Sequence, residues 1–226
     1  MARAIIVGFV SQKGGVGKST LARALGAVVA AGGLAVRIAD LDPYQQTVVE
    51  WERLRAHSGE PTPIAVEGFE TAAEALASAK PDELLIIDAP AHANRATLEI
   101  AGAAALVVQP SGASLDDLRP AVLLFHELVQ SGIPKDRLAI GLCRILTQSE
   151  EDEARAFVER AGYKVLPGCV PERSVYRQAH NRGQAITEGG ANARVDQLIL
   201  ELCRLVAAQL GDRTGRKPAA TRKQAS

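Results

Sequence analysis

Lys13 and Lys18 stand near the two ends of one glycine-rich stretch, Ser11-Gln12-Lys13-Gly14-Gly15-Val16-Gly17-Lys18-Ser19-Thr20. Gly17-Lys18-Ser19 closes a Walker A pattern, Gly-x-x-x-x-Gly-Lys-[Ser/Thr], except that Gln12 falls where the first glycine is usual. Gly14, Gly15 and Gly17 let successive backbone N–H groups turn inward around phosphate oxygens. Lys18 is then expected to reach the terminal phosphates, and the Ser19 hydroxyl to ligate Mg²⁺. With Val16 and Thr20, the run from Lys13 to Thr20 is a candidate phosphate cradle for ATP. The bland alternative is a glycine turn with no ligand. The context speaks against it, because the loop lies between an apolar run and a helical pattern. Residue types alone leave Lys13 open, and a solvated loop lysine is one reading.

Carboxylates complete the chemistry. Leu84-Leu85-Ile86-Ile87-Asp88 is an apolar run ending in an acid, a Walker B pattern that would hold Mg²⁺ at Asp88 through water. Alone the signal is weak; beside a phosphate loop it is strong. Asp40-Leu41-Asp42-Pro43 puts two carboxylates one residue apart at a strand end, and alternation aims both the same way. Two such groups near a metal–nucleotide complex suit steering of metal-bound waters (Asp40) and orientation of an attacking water (Asp42). An Asp-Pro turn and helix N-cap explain the same residues without catalysis, and the two roles are compatible.

The elements that must hold these residues alternate. Short β-branched runs at 4–10, 34–40, 63–67, 84–88, 105–110, 138–143 and 164–170 read as strands. Helical periodicity covers 18–31, ends at Gly32-Gly33, and recurs most clearly over 114–131, 150–161 and 192–210. The pattern predicts a single-domain α/β P-loop NTPase fold: a mostly parallel, twisted sheet with helices on both faces. Ligands in such sheets bind outside the carboxyl ends of the strands, where the loops above fall. The expected domain is 1–211, followed by a basic, disordered tail over 212–226.

Composition removes other classes. The 226 residues carry no net charge and are 47% hydrophobic, so one α/β core is affordable in size and no polyanionic partner follows from overall charge. Cys143, Cys169 and Cys203 are odd in number and far apart, which points to buried thiols in a reducing cytoplasm rather than disulfides or zinc. No apolar run of about 18 residues is present to span a membrane. The start of the chain reads as a strand, not a signal peptide.

Taken together, Lys13-Gly14-Gly15-Val16-Gly17-Lys18-Ser19-Thr20, Asp40-Leu41-Asp42-Pro43-Tyr44-Gln45-Gln46 and Leu84–Pro90 resemble the ParA/MinD group of deviant Walker ATPases, most of all the small ParA-type partition ATPases. The resemblance runs from about residue 4 to 210. It implies a role for Lys13: crossing a dimer interface to the partner's ATP, where it acts like an arginine finger. ATP would then hold a homodimer together and hydrolysis release it. It also implies slow basal hydrolysis, non-specific binding of double-stranded DNA by the ATP dimer, nucleoid association, and a ParB-like or cargo-adaptor partner that stimulates turnover. The segment 170–188 resembles the family's adenine border, with Pro171 and Glu172 as base contacts and Arg144 as a further wall.

Departures and neighbours refine the expectation. Tyr44 takes a position where the family commonly has glutamine, and Gln45 and Gln46 follow it. No helix-turn-helix precedes the loop, so operator binding is not expected. Candidate DNA contacts are Arg173, Arg177, Arg182, Arg194, Arg204 and the tail, with the first three as the best cluster. Each alone is more often a solvated arginine. The last helix carries a stripe of Val195, Leu198, Ile199, Leu202, Leu205 and Val206 with few basic residues opposite, which reads as core packing and disfavours a MinD-like membrane helix. No cysteine lies between Asp88 and Cys143, so a bridging iron–sulfur cluster is disfavoured. A P-loop ATP-dependent small-molecule ligase is the other alternative. Trp51 reads as packing, His92 as a switch-loop residue at most, and His180 as a surface residue.

Overall fold

Apolar runs that are buried on both sides need helices above and below, and the chain supplies them in strict alternation. The computed structural model describes residues 4–59, 62, 64–91, 94–190 and 192–214. In chain order the elements are β1 (Ile5–Phe9), α1 (Lys18–Ala31), β2 (Val36–Asp40), α2 (Thr47–Ser58), β3 (Ala65–Gly68), α3 (Ala72–Ala77), β4 (Leu84–Asp88) and α4 (Asn94–Ala103). They continue with β5 (Leu106–Ser111), α5 (Leu115–Gln130), β6 (Leu138–Ile145), α6 (Gln148–Arg160), β7 (Lys164–Val165), β8 (Val170–Pro171), α7 (Ser174–His180) and α8 (Ala193–Thr214). A short 3₁₀ turn, Lys135–Arg137, leads into β6.

Every strand pairing among the described residues is parallel, in the order β3-β2-β4-β1-β5-β6-β7, with β8 against the end of β6. β1 lies centrally, between β4 and β5. The chain therefore leaves β1 toward one edge and later fills the other, and the crevice at the end of β1 is where such sheets bind ligands. Alternation in β1 sends Ile5, Val7 and Phe9 to one core, with α1, Trp51 of α2 and α8. Val10 and Ile6 meet the other core, built with α3, α4, α5 and α6. Gly8 permits the close approach of α4: a Cβ there would stand 2.4 Å from Ile100 Cγ2.

The expected strand over 164–170 is two short strands instead. Pro167-Gly168 breaks it, with Gly168 at φ 71° and its Cα hydrogen packed against the backbone of α8 at Arg194. The expected helix stop is present: the Gly32 N–H donates to Val28 O, and Gly33 adopts φ 81°. The stripe of α8 is buried at Val195, Leu198, Ile199, Leu202 and Val206, as core packing requires.

Candidate functional site

The loop after β1 wraps over the start of α1. Gly15 and Gly17 take φ 70° and 114°, conformations open to glycine, and Gly17 is also the residue preceding the helix. A Cβ on Gly17 would meet Cys143 Sγ at 3.0 Å, so the loop rests directly on β6. Gly14 and Gly15 face open space and Val16 is anchored in the core. The N–H groups at the start of α1 are left for a ligand, and the helix end adds favourable potential for an anion.

Lys18 is buried, and its ammonium donates to Lys13 O at 3.2 Å, folding back across the loop. Burial lowers its pKa, while Asp88 and Asp42 oppose that shift. Ser19 bonds Asp88. Asp88 is buried, its Oδ1 has no protein partner, and burial pushes its pKa up to about 7. An orphaned carboxylate oxygen beside a serine hydroxyl fits a Mg²⁺ ion held mostly by phosphates and water. Among the described residues no group of three or more His, Cys, Asp or Glu side chains forms an all-protein metal cage, which agrees with that mode of binding.

The helix-cap duty expected near Asp42 falls mainly on Asp40. Its carboxylate accepts the N–H groups of Asp42 (3.0 Å), Val48 (2.8 Å) and Val49 (3.3 Å), at the start of α2. Asp42 Oδ1 accepts the N–H groups of Tyr44 and Gln45, forming a tight turn. That turn leaves Tyr44 96% exposed, and Gln46 at φ 44° precedes α2.

Lys13 is not free. Its ammonium bonds Asp117 Oδ1 at 2.8 Å, while Arg144 bonds Asp117 Oδ2 at 2.8 Å. Asp117, in the first turn of α5, thus joins both predicted cations from opposite sides. Sequence reading missed it, since nothing local distinguishes it from the adjacent Asp116. Arg144 takes φ 58° within β6, where the pairing with β8 shifts register between Cys143 and Ile145, a strained position that turns its guanidinium toward the cleft.

The cleft above the loop is lined by Gly15, Gly17, Lys18, Ser19 and Thr20 at one end. Arg144, Pro171 and Glu172 form a wall, so the expected adenine border does face the same cleft as the phosphate loop. Arg173 and Arg177, read as DNA contacts, line this cleft too, and Arg177 donates to Glu172 at 2.6 Å. Arg182 lies beyond α7, within 3.4 Å of Gln184 Oε1. Arg194 is committed to the buried Glu151, and Arg204 to Glu201 at 2.7 Å. Arg173, Arg177 and Arg182 do not share one helix: α7 holds only Arg177, with Arg173 preceding it and Arg182 beyond its end.

Two further residues line the cleft. Arg23, one turn after Ser19 on α1, is a buried guanidinium that donates to Thr47 O and stacks 5.5 Å from Trp51. His180, read from the sequence as a surface residue, is half-buried. It lines the cleft, and burial together with Arg23 lowers its pKa to about 4. His92 and residues 215–226 lie outside the described residues.

The sequence matches the CobQ/CobB/MinD/ParA nucleotide binding domain over residues 7–186. No curated protein sequence gives a significant match. The fold is similar to the MinD cell division protein of Aquifex aeolicus (17% identity, 97% of this chain and 100% of that one, TM-score 0.69). It is also similar to a ParA family ATPase from Chlorobium tepidum (18% identity, 90% and 99%, TM-score 0.65). A third likeness is to a plasmid partition protein of Borrelia burgdorferi bound to AMPPNP (15% identity, 93% and 100%, TM-score 0.64). With a glycine cradle, a buried lysine and a Ser–Asp pair at the end of a central parallel strand, and with the family match covering most of its length, the chain belongs to the CobQ/CobB/MinD/ParA nucleotide-binding family.

Proposed function

We propose that this chain is a Mg²⁺-dependent ATPase switch that dimerises around ATP, binds DNA without sequence preference and positions a cargo. The observation that carries the reading is the paired-lysine loop. Lys18 lies inside the cradle, while Lys13 sits at its outer edge with its side chain 39% exposed, held only by an ion pair. Lys18 and the loop N–H groups bind and orient the phosphates. Ser19 and Asp88 are the residues that would hold Mg²⁺, which neutralises phosphate charge when bound. Asp42 lies in a loop pinned by Asp40, near enough to act electrostatically on Lys18, and would orient the attacking water. Lys13 supplies positive charge across the dimer as the phosphoryl group transfers.

The DNA arm has narrower support. Arg173 and Arg182 are exposed, whereas Arg177 and Arg204 each share a carboxylate and Arg194 serves the core. The tail of 213–226 adds five basic residues and no acid. Against a membrane-surface role for the last helix, α8 spends its apolar stripe on the core. Co-sedimentation with random double-stranded DNA tests the reading. ATP, but not ADP, is expected to promote binding that weakens steeply with salt. Equal binding in both nucleotides, or none in either, contradicts the DNA arm and leaves a nucleotide switch for another surface.

A further inference from the structure

Beyond the phosphate loop, the cleft has an inner end that the nucleotide chemistry above does not use. Two helix faces meet there. Ser19 and Arg23 lie four apart on α1, and Tyr176 and His180 lie four apart on α7, so each pair shares a face. Arg23, Tyr176 and His180 all line the cleft with Thr47. Arg23 is 4% exposed and Tyr176 7%. Three of their polar atoms are buried and have no partner: Arg23 Nε, Tyr176 Oη and His180 Nε2. Buried donors left unmatched are costly, and three of them on residues that line one cleft suit a ligand there.

We propose that Arg23, Tyr176 and His180 form a second subsite in this cleft, for a small oxyanion of the phosphate class. The guanidinium N–H, the phenol O–H and an imidazole N–H are all donors, which suits a ligand rich in acceptor oxygens. The lining of the whole cleft has five cations (Lys18, Arg23, Arg144, Arg173 and Arg177) against one acid, Glu172, which Arg177 already engages. Asp40 and Asp88 act on Arg23 electrostatically without bonding it. They do not fill its Nε. The guanidinium is otherwise fixed by Thr47 O and by the Trp51 ring, so the donor is preorganised. The inference depends on the nucleotide reading only in using ADP to occupy the phosphate loop.

Trp51 is the only tryptophan of the chain and touches Arg23, so its fluorescence reports on the subsite. The full-length protein, saturated with Mg–ADP, is titrated with inorganic phosphate at constant ionic strength, with chloride as control. A saturable change of Trp51 emission is expected, confirmed by calorimetry. Arg23→Met should weaken phosphate at least tenfold. Tyr176→Phe and His180→Ala, milder in case Arg23→Met unfolds, should each weaken it severalfold. ADP affinity should stay within about threefold in all three. Lys18→Ala without nucleotide should still bind phosphate. No response beyond chloride overturns the subsite. So does a response that survives Tyr176→Phe and His180→Ala but vanishes in Lys18→Ala, since phosphate would then occupy the loop. Failure of ADP itself to bind the unmodified protein would instead count against the nucleotide reading.

Discussion

Asp117 holds the residue whose purpose the sequence raised most sharply. On the proposed reading Lys13 must leave Asp117 to reach a partner's nucleotide, so the intrachain pair would compete with the dimer. The pair is partly exposed and worth at most about 1 kcal/mol. Asp117→Asn should therefore tighten ATP-induced dimerisation by up to about fivefold, measured by equilibrium sedimentation. A weaker dimer would mean that Asp117 instead aims Lys13 at the partner. Asp88 gives a pH dependence with a defined sign. Its pKa in the folded chain, about 7, stands above its ordinary 3.8 because burial disfavours the charge. In the metal-free protein its contribution to stability is full below about 3.8 and is lost as pH rises through about 7. Mg²⁺ needs the ionised carboxylate, so Mg–ADP affinity should move the other way, rising across that same window near pH 7. Asp88→Asn should flatten both trends. Comparison of melting temperature and ADP affinity between the two proteins, near pH 6 and pH 8, removes the opposite contribution of His180. An unchanged slope in the variant would assign the titration elsewhere.

At the scale of elements, the phosphate loop, the Asp40–Gln46 loop and β4 were legible because each is a run of neighbours whose chemistry is written in one place. The helical stripe of α8 was legible for the same reason. What was not legible arises between distant segments. Lys13 and Asp117 are 104 residues apart, and Arg23 and His180, on α1 and α7, come to line one cleft only in the folded chain. Arg194 shows the same limit: as a sequence feature it was a surface cation, yet it belongs to a clamp. The buried Glu151 of α6 takes Arg155 from its own helix and Arg194 from α8, while Arg155 also bonds Leu166 O and Gly168 O. One carboxylate thus ties α6, α8 and the loop before β8, which carries Pro171 to the cleft. Removing it leaves two cations facing a half-buried space. Glu151→Ala should cost about 2–3 kcal/mol, below the value for a fully buried pair because the arginines are partly exposed. Chemical denaturation would show it, and a loss under about 0.5 kcal/mol would contradict the clamp.

The whole molecule places every nucleotide-facing residue at one end of an all-parallel sheet, with the single central strand β1 feeding the loop. That end also carries exposed apolar side chains, Tyr44, Leu115 and Leu146, which follow β2, β5 and β6. A second copy meeting this end would cover them while bringing Lys13 to the partner's phosphates. The account therefore stands on a dimer that ATP makes and Lys13 requires. Sedimentation velocity of the full chain in Mg–ATP and in Mg–ADP, beside Lys13→Ala, measures this directly. A dimer in ATP only, lost in Lys13→Ala although that variant still binds ATP, is the predicted result. A monomer in both nucleotides, or a dimer that Lys13→Ala leaves intact, would contradict it.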